Sequence, residues 1–178
     1  MSGIHLPAGR PVSRSRSIAS GVFIGIGVAG FLDETVFHQL LHWHHFWDGG
    51  SQSTGLVSDG LFHAASWLCI VGGLFWFADL RRRDAWQPGV WVGGILLGAG
   101  GFQLYDGLVQ HKLLGLHQIR YHVPIWPYDL VWNALAAIMI MVGGLLLWRS
   151  RRTHDEHAGH GARTEGGGAA PRTARSGR

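Results

Sequence analysis

The chain has 178 residues, of which 47% are hydrophobic, and it contains 28 glycines and nine tryptophans. This length fits a single domain. The 15 lysines and arginines outnumber the 11 acidic residues, but all except Lys112 and Arg120 lie in the N-terminal segment, the run 81–83 or the C-terminal tail. Lys and Arg concentrate on the cytoplasmic side of membrane proteins. The basic charge therefore indicates membrane topology and excludes nucleic acid as a partner.

Apolar residues are gathered into four blocks. A helix of about 20 residues crosses the roughly 30 Å hydrocarbon core of a bilayer, and each block is close to that length. Only helices and closed barrels satisfy their backbone hydrogen bonds in lipid, and blocks this long and apolar indicate helices. The sequence predicts an all-α integral membrane protein with four transmembrane helices, over residues 18–41, 60–80, 89–114 and 127–148.

The segments outside these blocks have a different composition. Residues 1–17 are polar and basic and are predicted to form a cytoplasmic lead, followed by the transmembrane domain over 18–148. Residues 149–178 are rich in Gly, Arg and Ala and poor in large apolar side chains, which predicts a disordered basic cytoplasmic tail. Because the basic residues flank both ends of the domain, the N and C termini are both predicted inside.

The first helix resembles the third when the sequence is shifted by 73 positions. The identical positions are Gly21, Gly25, Gly27, Asp33, Val36, His38, Leu40, Leu41 and His44, matched by Gly94, Gly98, Gly100, Asp106, Val109, His111, Leu113, Leu114 and His117. A shift of 70 places Asp59 and His63 of the second helix on Asp129 and Asn133 of the fourth. This pattern predicts two tandem helical hairpins, a parallel repeat with a pseudo-two-fold axis along the membrane normal.

Glycines recur four residues apart in the first and third helices. Small residues at this spacing let helix backbones approach closely, which predicts a helix contact at Gly21/Gly25 and Gly94/Gly98. The run from Gly25 to Gly30 also matches the spacing of a dinucleotide-binding loop. That loop requires a preceding strand, which a transmembrane helix does not provide, so the glycines are interpreted as structural.

Histidines cluster at the outer ends of the predicted helices. His38, His42 and His45 share one helical face by their spacing, and the repeat places His38 and His111 at equal depth. Neutral imidazole is the commonest metal ligand in proteins, although a single histidine at an interface is more often only a hydrogen-bonding residue. The predicted metal ligands are His38, His42, His45, His63, His111, His117, Asp59 and Asp129. Histidine and carboxylate ligands without a thiolate fit iron, zinc or Cu(II). A haem b held between His38 and His111 is a variant of this metal-site prediction.

Two aspartates lie deeper, Asp33 five residues before His38 and Asp106 five before His111. At 3.6 residues per turn, residues five apart point about 140° away from each other. The Asp and His of each pair are therefore not predicted to be neighbours. The aspartates are interpreted as partners that orient the ligands or relay protons beneath the metal, or as hydrogen-bonding groups between helices.

The segments GFLDETVFHQLLHWHH, DGLFH and YDGLVQHKLLGLH, with the aspartate of YDLVWN, carry a family resemblance over residues 18–148. The chain resembles a bacterial family of predicted four-helix membrane proteins, known as domain of unknown function number twenty-two forty-three. The resemblance implies a multi-pass protein of the bacterial inner membrane and supplies no activity. The motif residues would be Asp33, His38, His42, His44, His45, Asp59, His63, Asp106, His111, His117 and Asp129.

Three functions remain open from the sequence. The first is a metal or haem centre near the extracytoplasmic side, with a redox or metal-handling role. The second is proton or ion translocation through Asp33 and Asp106, for which four helices are few unless the protein forms a homo-oligomer. The third is a non-catalytic assembly subunit of a respiratory complex. The expected partners are the lipid bilayer and respiratory or metal-handling membrane proteins, and enzymatic activity is left open.

Overall fold

The structure, a computed structural model, describes the chain from residue 14 to residue 166 and its side chains from 14 to 152. Two of the four helices change from α to π geometry near one end. In chain order the elements are α1 (Arg14–Asp33), a first π segment (Glu34–Leu40), α2 (Gln52–Arg82), α3 (Pro88–Tyr105), a second π segment (Asp106–Leu114) and α4 (Trp126–Gly166). Within these residues all regular secondary structure is helical, and short non-helical segments connect the helices.

The four predicted spans are confirmed. Helices long and apolar enough to cross a membrane run over Arg14–Leu40, Gln52–Arg82, Pro88–Leu114 and Trp126–Arg152. Many of their large apolar side chains point outwards; Leu68 and Phe75 are 73% and 72% exposed. The interior instead contains buried carboxylates and imidazoles. Apolar residues outside and polar residues inside suit a protein whose surroundings are lipid.

The helix α4 continues past residue 148, where the sequence predicts the transmembrane domain to end. The guanidinium of Arg152 lies 3.9 Å from the ring centroid of Trp148, a cation–π contact within this part of the helix. Residues 1–13 of the predicted lead and 167–178 of the predicted tail lie outside the described residues.

The helices α1 and α3 form the centre of the bundle, with α2 packed on α1 and α4 packed on α3. Glycines allow the close approach of α1 and α3. A Cβ added at Gly25 would collide with the carbonyl oxygen of Ile95, and one added at Gly98 would collide with that of Val22. Each colliding pair is related to the other by the 73-residue shift. The predicted glycine contact is thus present.

Ser20 joins three helices in the interior. Its hydroxyl donates to the carbonyl oxygen of Gly73 on α2 at 2.8 Å and accepts from Nε1 of Trp91 on α3 at 3.2 Å. The side chain is fully buried. Groups of this kind replace water as hydrogen-bond partners inside a membrane protein.

Replacing Ser20 by alanine should lower the free energy of unfolding by about 0.6–1.7 kcal/mol, from the average to the largest value measured for hydrogen bonds between membrane helices. Denaturant titration in detergent would measure the loss. Ser150→Ala is the control, because among the described residues the Ser150 hydroxyl donates only to the carbonyl of Leu146 in its own helix. An equal loss in both variants would contradict a specific role for Ser20 between helices.

Candidate metal centre

The two π segments bring each aspartate next to its histidine. In a π-helix, hydrogen bonds join residues five apart, so such residues stack over one another. Asp33 Oδ2 lies 3.6 Å from His38 Nε2, and Asp106 Oδ2 lies 3.1 Å from His111 Nε2. The prediction that these pairs point apart is therefore wrong, because it assumed 3.6 residues per turn throughout.

The chain leaves the first π segment through a left-handed turn at His42, which has φ 50°. Gly115, at the matching position 73 residues later, has φ 60°. The helix has ended before His42, so the prediction of one helical face for His38, His42 and His45 is wrong. The turn leaves His42 exposed and directs His44 into the interior, where it is 6% exposed.

Among the described residues, three buried groups each offer one ligand atom per residue with all three atoms within 4.8 Å of one another, and two of these groups, the triads, are related by the 73-residue shift. The first triad is Asp33, His38 and His44, and the second triad is Asp106, His111 and His117. Their members differ by 73 positions throughout. The third group is Glu34, His38 and Asp59, which shares His38 with the first triad. In the second triad, Asp106 Oδ1 also lies 3.6 Å from His117 Nε2.

The triads are in contact through their imidazoles. The rings of His44 and His117 stack at a centroid distance of 4.6 Å with an interplanar angle of 6°. His38 lies 4.4 Å from His44, and His111 lies 4.7 Å from His117, in edge-to-face arrangements. The six residues therefore form one continuous polar centre.

Hydrogen bonds to backbone carbonyls fix the orientation of the two central histidines. Nδ1 of His44 donates to the carbonyl of Ile119 at 3.1 Å, and Nδ1 of His117 donates to the carbonyl of Phe46 at 2.8 Å. These carbonyls are themselves 73 positions apart, so each half of the chain orients a histidine of the other. Because Nδ1 carries the proton, Nε2 is left with a lone pair, the form of imidazole that binds metals.

Ring nitrogens face carboxylate oxygens across the centre. Among the described residues, no hydrogen-bond partner reaches Nε2 of His38, His111 or His117. Oδ2 of Asp106 likewise has no partner within this part of the chain. Buried polar atoms without partners are costly, and a ring nitrogen and a carboxylate oxygen that face each other as acceptors repel unless a proton or a metal cation lies between them. Ligand atoms on one tetrahedral ion with bonds of about 2.0–2.1 Å are about 3.3 Å apart, which fits the separations found here.

The charge state of His44 suits this role. Burial is the main cause that lowers its pKa to about 2, and the neighbouring imidazoles of His38 and His117 lower the pKa further. His44 is therefore neutral at physiological pH. A neutral imidazole can bind a metal without first losing a proton.

Carboxylates also lie behind His38, on the side away from the other histidines. Nδ1 of His38 donates to Asp59 Oδ1 at 3.2 Å and lies 2.8 Å from Glu34 Oε2. Asp59 also accepts from the backbone N–H of Phe46 and from Nδ1 of His45, both at 2.7 Å. Asp59 is thus saturated with donors and orients its neighbours.

Of the other predicted ligands, Asp59 contacts His38, and His45 contacts Asp59, whereas three lie apart from the triads. His42 is exposed, and His63 packs against the ring of Phe31 at 5.3 Å. Asp129 forms an ion pair with Lys112 at 2.6 Å. The centre brings together three of the predicted ligands, His38, His111 and His117, with Asp33 and Asp106.

Two residues of the site, His44 and Glu34, were not predicted as site residues from the sequence. His44 was counted only as part of the family motif, and Glu34 was given no role. The 73-residue shift carried the signal for His44, since it pairs His44 with the predicted ligand His117. No comparable signal existed for Glu34, because position 107 is a glycine.

The fold and the buried centre define a multi-pass helical membrane protein with a polar interior at one end. Residues 20–151 match the family described as "Predicted membrane protein (DUF2243)", which covers most of the chain. The chain belongs to this family, as the resemblance in its motifs predicted. No curated protein matches the chain. No solved structure matches it.

Proposed function

We propose that this protein is a membrane metalloprotein that holds two neighbouring transition-metal ions, one in each triad. The observation that carries the proposal is the pair of crossed hydrogen bonds, His44 to Ile119 and His117 to Phe46. They direct Nε2 lone pairs towards buried carboxylates. A site built only for packing would place donors there instead.

Two histidines and one carboxylate leave further coordination positions open, a ligand set typical of non-haem Fe(II). Iron is therefore the first candidate, with zinc and Cu(II) as alternatives. A haem b between His38 and His111 is less well supported. The rings of His44 and His117 contact His38 and His111 at 4.4 and 4.7 Å, where a porphyrin would need space.

The tandem repeat and the topology are part of the proposal. Matching contacts at Gly25 and Gly98, and at the crossed carbonyls, support two parallel hairpins. The Arg81–Arg83 run and the arginines near both termini support a bacterial inner-membrane protein with both termini inside. The centre would then lie towards the extracytoplasmic side, within reach of respiratory or metal-handling partners.

Elemental analysis of the full chain, purified in detergent, tests the proposal. We expect two transition-metal ions per chain and no Soret band in the visible spectrum. Optical or electron paramagnetic resonance changes on adding dithionite would assign a redox role, whereas an inert ion that exchanges with chelators would assign metal handling. A protein that stays metal-free after reconstitution with iron, zinc and copper would overturn the proposal.

Proton or ion translocation through Asp33 and Asp106 is the alternative. It predicts that Asp33→Asn lowers proton flux into vesicles while the metal content is unchanged. The metal proposal predicts instead that Asp33→Asn lowers the metal content and leaves proton flux unchanged, because Asp33 would be a ligand. A third outcome, in which Asp33→Asn lowers only stability, would support an assembly subunit.

A further inference from the structure

The two triads are related by the 73-residue shift, but their surroundings differ. In the first triad, the ring nitrogen of His38 that points away from the centre faces two buried carboxylates. Nδ1 of His38 donates to Asp59 at 3.2 Å and lies 2.8 Å from Glu34. Both carboxylates are 1% exposed. Two carboxylates therefore hold the Nδ1 side of the His38 ring.

The second triad has no counterpart to this pair. Gly107 stands where the shift would place a second Glu34. Asp129 occupies the position related to Asp59 by the 70-residue shift, but it pairs with Lys112 at 2.6 Å. Within the described part of the chain, Nδ1 of His111 has no hydrogen-bond partner at all.

This difference has a known chemical effect. A ligand histidine whose second nitrogen donates to a carboxylate is more basic and better oriented, and loss of such a partner costs about 10–100-fold in metal affinity. The carboxylates also add negative charge near a cation. Both effects act at His38, and neither has an equivalent at His111.

We infer that the two metal positions are unequal: the first triad binds its ion more tightly and is filled first, while the second triad holds the exchangeable ion. Glu34 and Asp59 are the positioning residues that create the difference. This inference rests on the proposed metal centre. It assigns the second triad as the position where an ion, or a ligand bound to it, is exchanged.

Isothermal titration calorimetry of the full chain, stripped of metal with a chelator and titrated with Zn²⁺, tests the inference. Zn²⁺ has no redox chemistry, so affinity is read directly. We expect two binding steps with dissociation constants at least about tenfold apart. Glu34→Gln should weaken the tighter step about 10–100-fold and leave the weaker step unchanged. Asp59→Asn should act in the same direction.

Three variants complete the design. Asp129→Asn is the matched control for Asp59→Asn and should change neither step. Asp106→Asn should retain only the tight step, and Asp33→Asn only the weak one. Melting temperatures of the metal-free variants serve as the check on folding. If Asp59→Asn does not fold, Glu34→Gln still tests whether these carboxylates strengthen the tighter binding step.

Each outcome has a definite meaning. Two equal steps in the unmodified chain would overturn the inference while leaving the metal centre intact. Equal weakening of both steps by Glu34→Gln, or retention of the tight step in Asp33→Asn, would also overturn it. Failure to bind any Zn²⁺ would overturn the inference, and failure to bind iron and copper as well would overturn the proposed function itself.

Discussion

Alanine at Gly98 should destabilise the protein by about 1–3 kcal/mol or more, the cost of forcing extra atoms into a packed interior. A Cβ at this position would meet the carbonyl oxygen of Val22 and lie 2.8 Å from its Cα. These are backbone atoms of a neighbouring helix, so no rotamer change relieves the collision. The helices α1 and α3 would have to separate. Gly25→Ala should behave in the same way, because it meets the backbone of Ile95.

Gly101→Ala is the control. A Cβ at Gly101 meets no atom within 4 Å among the residues that the structure describes. Since alanine is favoured over glycine in a helix by up to about 1 kcal/mol, this variant should be neutral or slightly more stable. Chemical denaturation in detergent would compare the variants. A Gly98→Ala protein as stable as Gly101→Ala would show that α1 and α3 are not in close backbone contact at their crossing.

His44→Ala should remove the ion from the first triad and weaken the second. The substitution deletes a proposed ligand and leaves the carbonyl of Ile119 without its donor. It also removes the ring stacked on His117 at 4.6 Å. We expect metal content to fall from two ions to one or fewer per chain after dialysis. Elemental analysis of the purified variant would measure this.

His42→Gly is the matched control, two residues away. The imidazole of His42 is exposed, and its φ of 50° is a conformation that glycine adopts readily. The matching position in the second half is already Gly115. His42→Gly should therefore keep both ions and lose no stability. Loss of metal in His42→Gly but not in His44→Ala would favour the ligand set predicted from the sequence alone.

The sequence was sufficient for the helices and for much of the polar centre. The hydrophobic blocks have the length that a bilayer requires, so four spans followed directly. The 73-residue shift indicated that His38 and His111 belong together. The length of an apolar block and the similarity between two parts of one chain can both be read from a single sequence.

The geometry of the triads was not predictable in this way. A periodicity of 3.6 separates Asp33 from His38, and only the change to π geometry brings them together. No residue pattern within Glu34–Leu40 marks that change. Interpretation of Asp33 and Asp106 as supporting groups followed from the assumption of a regular α-helix.

The orientation of the histidines was also out of reach, for a different reason. His44 is oriented by a carbonyl 75 positions away in the chain, and His117 by one 71 positions away. Backbone carbonyls carry no side-chain identity, so no sequence motif signals such a bond. The pairing becomes visible only when the two halves are packed together.

The crossed carbonyl bonds make the halves of the chain dependent on each other. His44 is held by the segment that leads into α4, and His117 by the segment that leads into α2. A nascent chain with only its first two helices inserted therefore lacks the group that orients His44. The centre can mature only after α3 and the loop beyond it have entered the fold. Metal uptake would then act as a late step of biogenesis, one that discriminates completed molecules from truncated ones.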